Sequence, residues 1–212
     1  MSKKQPVIII GGGGHASVLV DILKSQNRDI LAVVSPDILE NRKVHRGLCR
    51  LKYDCDVDSY HPSTVLLVNG IGPDPRLNAK RKVNEYFLEK GYQFDTVVSS
   101  SAIVSPYSVL SEGVQILNGA IIQAGVSIGP HSVVNTGVVV EHDCHLGAYN
   151  HLAPSSTLCG QVVTKQNVYI GAGAIVINNV VIGEEAIVGA GAVLKMSLDK
   201  GQICYPAQSL IK

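Results

Sequence analysis

The chain has 212 residues, 46% hydrophobic and 17% charged, which suits a folded domain with a buried core and excludes a disordered chain. Lys and Arg number 18 against 17 Asp and Glu, a net charge of +1, which argues against an electrostatic binder of nucleic acid or membrane surfaces. Aromatics are only 5% while glycine reaches 21, a composition for thin, regular layers of Val, Ile, Leu and Ala.

The N-terminal run Val7–Ile10 is too short for a signal peptide, and no apolar stretch approaches the ~20 residues of a membrane span. Val7–Ile10 reads as a strand that breaks into Gly11-Gly12-Gly13-Gly14-His15, and Ala16–Lys24 follows with helical spacing. Ile30–Val34 and Val65–Val68 are apolar runs of strand length, Asn78–Lys90 has helical composition with Gly91 as its C-cap, and Phe94–Val98 closes the region as a further strand. Strands alternating with helices predict parallel β-α-β units, with ligands at the carboxyl ends of the strands. Cys49, Cys55, Cys144, Cys159 and Cys204 include no CxxC pair, and their odd number predicts reduced thiols in a cytoplasm.

From Val104 the pattern changes. Steps of six reach Leu110, Ile116, Ile122, Ile128, Val134, Val140, Leu146, Leu152, Leu158, Thr164, Ile170, Val176, Ile182, Val188 and Leu194; fifteen of the sixteen are Leu, Ile or Val. Thr164 is the one break. Positions four further on are small or β-branched nearly throughout, Cys144 and Asn150 among them. A strand has period two and a helix 3.6, so a sustained six marks a hexapeptide β-helix of about five coils, three sides of six residues each. Gly129, Gly147, Gly171, Gly183 and Gly189, each following an aliphatic, are expected where the turn demands an unusual backbone conformation.

The chain resembles the left-handed hexapeptide-repeat acyltransferases, and among them the sialic acid O-acetyltransferase and bacillosamine-type nucleotide-sugar N-acetyltransferase group. The segments that carry the resemblance are Val7–Ser17, Val68-Asn69-Gly70-Ile71-Gly72, the repeats, Val140-Glu141-His142-Asp143-Cys144 and Tyr205-Pro206-Ala207. It implies an α/β, Rossmann-like nucleotide-sugar-binding domain over residues 1–100 and a left-handed parallel β-helix over 101–212. It further implies a cytoplasmic homotrimer that uses acetyl-CoA. The activity implied is acetyl transfer to the amino group of a nucleotide-linked amino-deoxy-sugar for surface polysaccharide or glycan synthesis. The alternatives are O-acetylation of sialic acid or a related sugar, and a non-enzymatic repeat protein.

N-acylation by a thioester needs a base for the amine proton, donors for the oxyanion, and two substrates held face to face. The resemblance makes His142 the general base and Asp143 its partner, with Glu141 competing for that place. His142 lies two residues after the inward Val140 and so projects outward. The resemblance also places His15, with Gly13 and Gly14 of the first loop and Gly72 of the second, against the nucleotide-sugar. His151, Gly160, Ala172 and Ala190 fall to acetyl-CoA by the same resemblance; Lys195, which the resemblance does not assign, is expected as a phosphate contact. Nine residues, half a coil, separate His142 from His151, so the two can share a site only between neighbouring subunits.

Gly11-x-Gly13-x-x-Ala16 also fits a dinucleotide fingerprint. Ser35-Pro36, with Asp37 after, stand where the acid of that reading belongs, and they also depart from the paired acids of the acetyltransferases. Metal is not expected: Cys144 occupies an inward slot and cannot join His142 and His145 around an ion. His131 and His145 read as surface, and Cys144 as buried packing.

Overall fold

The computed structural model describes residues 5–37, 39, 42–72 and 79–207. The chain divides into two compact units, Met1–Val97 and Val98–Lys212.

In the first unit, strands β1 (Val7–Ile10), β2 (Ile30–Val34), β3 (Cys49–Leu51) and β4 (Leu66–Asn69) form a parallel sheet in the order β3-β2-β1-β4. All four residues of β1 are buried, as a strand covered on both faces requires. Helix α1 (Gly14–Ser25) buries Ala16, Leu19, Val20, Ile22 and Leu23, the three-to-four spacing of one apolar stripe. Helix α2 spans Ala79–Glu89; Asn78, which the sequence pattern includes in it, lies outside the described residues. Gly91 ends this helix at φ +84, where the Gly91 amide donates to the Leu88 carbonyl and the Tyr92 amide to that of Phe87, both open at a helix end. Phe94–Val98 is not one continuous strand: Phe94 bridges Leu67, and regular strand is confined to Val97–Val98. The strand order reverses between β1 and β4, so the glycine loop after β1 and the loop after β4 flank the crevice where parallel α/β sheets take ligands.

The second unit is a stack of two-residue strands in three parallel sheets. Each strand pairs with the one eighteen residues on: Ser127 with His145, Val133 with His151, Val139 with Thr157. Within one coil the chain passes from Val133–Val134 in the first sheet to Val139–Val140 in the second and His145–Leu146 in the third. The second residue of each pair points inward: Ile116, Ile122, Ile128, Val134, Val140, Leu152, Leu158, Ile170 and Val176 are all 0–1% exposed. Val114, Ala120, Val126, Val138, Cys144 and Val162 close the corners of the same core. The ladder starts less buried, at Val104 and Leu110.

The turn glycines have a different cause from the one their sequence positions suggest. The left-handed residues lie three after the inward aliphatic, at Gly125, His131, Gly137, Asp143, Tyr149 and their equivalents, and not at Gly129, Gly147, Gly171, Gly183 or Gly189. Those five are glycine because the adjoining coil passes too close: a Cβ on Gly129 would lie 2.6 Å from the Gly147 carbonyl carbon, and one on Gly147 2.6 Å from that of Lys165. The last turn is shorter. Leu198 bridges Ile182, and Ile203–Cys204 pairs with Ile187–Val188 sixteen residues on.

Thr164 breaks the ladder because it completes a buried polar chain. The Asn150 side-chain amide donates to Thr164 Oγ1, Asn150 Oδ1 accepts the Val168 amide at 2.8 Å, and the Asn150 amide donates to Ser132 Oγ at 3.0 Å. Ser132, Asn150 and Thr164 are 0%, 1% and 3% exposed. Thr164→Val keeps the shape but strands the Asn150 amide in a dry core, at an expected cost of about 1–3 kcal/mol. Adding Asn150→Val is expected to recover little of that loss, since it removes the Oδ1 that accepts the buried Val168 amide. Urea denaturation of the single and double variants checks this, and a double variant as stable as the native protein contradicts it.

Candidate functional site

His142 and Asp143 occupy the corner between the second and third sheets, just after Val139–Val140. Asp143 has φ +60, a left-handed conformation that Asp tolerates better than most residues. His142 Nδ1 stands 2.9 Å from Asp143 Oδ2. An ionised carboxylate only accepts, so Nδ1 carries the hydrogen and the lone pair lies on Nε2. The two side chains are 61% and 56% exposed, so water screens the pair until a ligand covers it. Among the described residues, His142 bonds Asp143 and makes no bond to Glu141.

Gly160 sits one coil beyond His142, and a Cβ there would lie 2.6 Å from His142 Nε2. The lone-pair nitrogen therefore rests against bare backbone. The neighbouring Gln161 amide donates to the His142 carbonyl at 2.9 Å, tying the two coils together at this corner. Cys144 points into the core, where burial pushes its thiol up to about 11, and its Sγ donates to the Cys159 carbonyl at 3.2 Å. Such a thiol supplies no nucleophile at neutral pH.

The other expected acetyl-CoA contacts lie elsewhere on the prism. Ala172 and Ala190 are exposed and stacked one coil apart on the corner between the first and second sheets; the Gly191 amide donates to the Ala172 carbonyl at 2.8 Å. His151 lies on the first sheet, the side opposite the His142 corner, so one chain does not bring the two histidines together. It is 7% exposed and stacks on Tyr169 with ring centroids 5.1 Å apart. Lys195 is exposed on the His142 corner. His145 is a surface residue bonded to Ser127 Oγ at 2.8 Å, as its position suggests. His131 is not: at 6% exposed, it stacks on Tyr149 at 4.9 Å because both occupy the left-handed slot of adjoining coils.

In the first unit the four expected substrate residues converge. Gly13 is the N-cap of α1 and Gly14 its first residue; among the described residues no side chain caps this end, and the first turn of a helix favours an anion. A Cβ on Gly13 or Gly14 would meet nothing within 4 Å, so the fold itself does not crowd a side chain out of either position. A Cβ on Gly72 would touch His15 Cβ at 3.9 Å, which brings the second loop against the first.

Sequence reasoning missed what holds these loops. Asn69 Oδ1 accepts the Ile71 amide at 2.9 Å, while its Nδ2 donates to Asn84 Oδ1 at 2.6 Å and to the Lys80 carbonyl at 3.1 Å. Asn69 and Asn84 are 2% and 0% exposed, so this knot is fixed. Burial pushes the Lys80 ammonium down to about 7. Behind the first loop, the buried His45 lies 3.4 Å from Ser17 Oγ, whose hydroxyl donates to the Gly13 carbonyl at 3.1 Å. Burial, with Arg42 and Lys24 nearby, lowers its pKa below the usual histidine value. A polar residue in a helical pattern was the only signal for Asn84, and nothing in the sequence marked His45.

Among the described residues no group of three or more His, Cys, Asp or Glu is placed to hold a metal, and no helix is long and apolar enough to cross a membrane. Residues 161–195 match the family model of the bacterial transferase hexapeptide (six repeats). Among solved structures the chain is similar to a histidine-to-asparagine variant of perosamine N-acetyltransferase from Caulobacter crescentus, in complex with CoA and GDP-perosamine. The two are 34% identical over 94% of this chain and 93% of that one, with a TM-score of 0.83. It is similar also to PerB from Caulobacter crescentus with the same two ligands, at 33% identity over 94% and 93% and a TM-score of 0.84. The acetyltransferase domain of PglB from Neisseria gonorrhoeae, in complex with acetyl coenzyme A, is 22% identical over 97% and 99% with a TM-score of 0.85. The stacked coils are thus a left-handed parallel β-helix behind an α/β domain. No curated protein matches the chain by sequence.

Proposed function

The chain belongs to the hexapeptide-repeat nucleotide-sugar N-acetyltransferases, and from that premise we propose that it moves the acetyl group of acetyl-CoA onto the amino group of a nucleotide-linked amino-deoxy-sugar. The observation that carries this reading is the His142–Asp143 pair on an outward corner, its Nε2 against the side-chain-free Gly160. GDP-perosamine is the first acceptor to test, because the relatives at 33–34% identity hold it. The same ligand, an amino sugar, favours N- over O-acetylation.

In this reading Nε2 of His142 takes the proton of the sugar amine as that amine attacks the thioester carbonyl. The Asp143 carboxylate keeps Nδ1 protonated and offsets the imidazolium charge that develops. The Gly160 amide makes no backbone hydrogen bond among the described residues and lies beside Nε2, so it is the donor best placed for the oxyanion. The proton on His142 then passes to the departing thiolate. Gly13, Gly14, His15 and Gly72 in the domain over residues 1–100 hold the nucleotide diphosphate, with the α1 amides as donors.

Ala172 and Ala190, whose short side chains leave the coil backbone open, line the path of the CoA arm, with Gly160 at its reactive end. His151, on the opposite sheet, contributes to a neighbouring subunit's site in a homotrimer. The outward residues Ile103, Ile175 and Val193, 65%, 42% and 48% exposed on the second sheet, support such an assembly, since a single sheet face leaves them bare to water. Free cysteines throughout and a CoA thioester co-substrate favour the cytoplasm. The product is an N-acetylated activated sugar of the kind glycan-building transferases consume. Mixing the protein with acetyl-CoA and GDP-perosamine is expected to release free thiol in step with a sugar nucleotide heavier by one acetyl group. Acetylation of free sialic acid, with no turnover of GDP-, UDP- or dTDP-linked amino sugars, overturns the reading.

A further inference from the structure

Two glycines bracket the histidine–aspartate pair along its corner, one coil to either side. Gly125 lies one coil before Asp143, and Gly160 one coil after His142. Neither is explained by the backbone. The corner position of Gly160 carries Pro106, Ala124, His142, Asn178 and Met196 in the other coils, so side chains fit there in general. Gly160 does not have a left-handed φ. What excludes a side chain is the imidazole: a Cβ would lie 2.6 Å from Nε2, 2.7 Å from Cε1 and 3.3 Å from Cδ2 of His142.

Gly125 does have a left-handed φ, +76, but so do Tyr149, Ser155, Gln161, Asn167, Asn179 and Glu185 in the equivalent slot of other coils. The backbone there accepts side chains at a tolerable cost. At Gly125, however, a Cβ would run into Asp143 Oδ1 and reach within 3.3 Å of its Cγ.

We propose that Gly125 and Gly160 are positioning residues for acetyl transfer: bare backbone at Gly160 sets the direction of Nε2, and bare backbone at Gly125 sets the carboxylate that holds Nδ1. The inference rests on the reading of His142 as the general base. It assigns Gly160 a role that its contact with acetyl-CoA does not require. A Cβ on either glycine meets the movable end of a side chain, so the side chain gives way while the coil stays intact. Stability and turnover should therefore separate.

The experiment compares Gly160→Ala, Gly125→Ala and Gly119→Ala. The last carries the same left-handed strain (φ +69) with nothing within 4 Å of its Cβ, and so controls for backbone effects. Gly160→Ala is expected to keep the melting temperature of the native protein and its KM for the sugar nucleotide while kcat falls roughly 10²-fold, as a misplaced reacting group predicts. Gly125→Ala loses kcat and also the Nδ1–H form of His142, read from ring-nitrogen NMR signals at alkaline pH. Gly119→Ala shows only the stability loss that Gly125→Ala shares. Native kcat in Gly160→Ala, or an equal kcat loss in Gly119→Ala and Gly125→Ala, overturns the proposal. If the native protein acetylates no amino-sugar nucleotide, the functional reading fails by itself. The NMR comparison still decides the positioning role then: unchanged His142 ring signals in both Gly125→Ala and Gly160→Ala end it.

Discussion

Replacing His142 with alanine is expected to lower kcat by roughly 10²–10⁴-fold, the usual worth of a positioned general base. The amine cannot remain protonated as it adds to the thioester, and Nε2 is the lone pair this corner offers for that proton. Both substrates should still bind nearly as well, because the base acts in the transition state and contributes little to either ground state. Asp143→Asn should produce a smaller loss of the same kind. An amide can still accept the Nδ1 hydrogen, but it no longer balances the charge that forms on the ring. Thiol release at saturating substrates measures both variants. A His142→Ala protein with native turnover ends the general-base assignment. Equal losses in His142→Ala and Asp143→Asn would make the carboxylate as essential as the imidazole.

The second large effect is on folding. Val140 lies two residues before His142, is 0% exposed, and stacks between Ile122 and Leu158 of the adjoining coils. Val140→Asp brings a carboxylate into the prism between two aliphatic neighbours, Ile122 and Leu158. Whether it stays charged or takes a proton, it forfeits hydration without gaining partners, at a cost of several kcal/mol. Against a typical total of ~5–15 kcal/mol, that removes much of the stability of the domain. His145→Asp lies in the same coil but faces water, and should change stability by less than about 1 kcal/mol. Chemical denaturation of the two variants reads the difference directly. Similar midpoints for both would mean that the interior at Val140 is hydrated.

The β-helix was legible because one physical constraint repeats. Nearly every inward position must be apolar, so a six-residue period survives in the sequence from Val104 to Leu194 and fixes both the coil length and the outward direction of His142. Thr164 was visible as an exception but not explicable, since its partner Asn150 belongs to a different column of the repeat and meets it only across coils. The same limit hid the reason for the turn glycines. Sequence marks where a glycine stands, while the backbone that passes beside Gly129 or Gly147 comes from a coil eighteen residues later. In the first unit the apolar strands β1 and β2 were plain. β3, with Cys-Arg-Leu and little burial, carried no such pattern. The glycine loop announced itself, whereas the Asn69–Asn84 knot beneath its partner loop depends on a contact fifteen residues apart that no period encodes.

The shortened final turn has a consequence for self-association. A stack of parallel strands ends in rows of unpaired amides and carbonyls, each a template on which another chain could extend the sheet. Here, among the described residues, the chain folds over two of the three last rows: Leu198 against Ile182, and Ile203–Cys204 against Ile187–Val188. Pro206, two residues after Cys204, has no amide hydrogen to offer a newcomer. The two-residue deficit also puts this turn out of step with the eighteen-residue register, so a coil docking on it in the regular phase would meet mismatched donors and acceptors. The repeat that makes the prism so regular would otherwise favour fibrous growth at this end, and the irregular turn stops it.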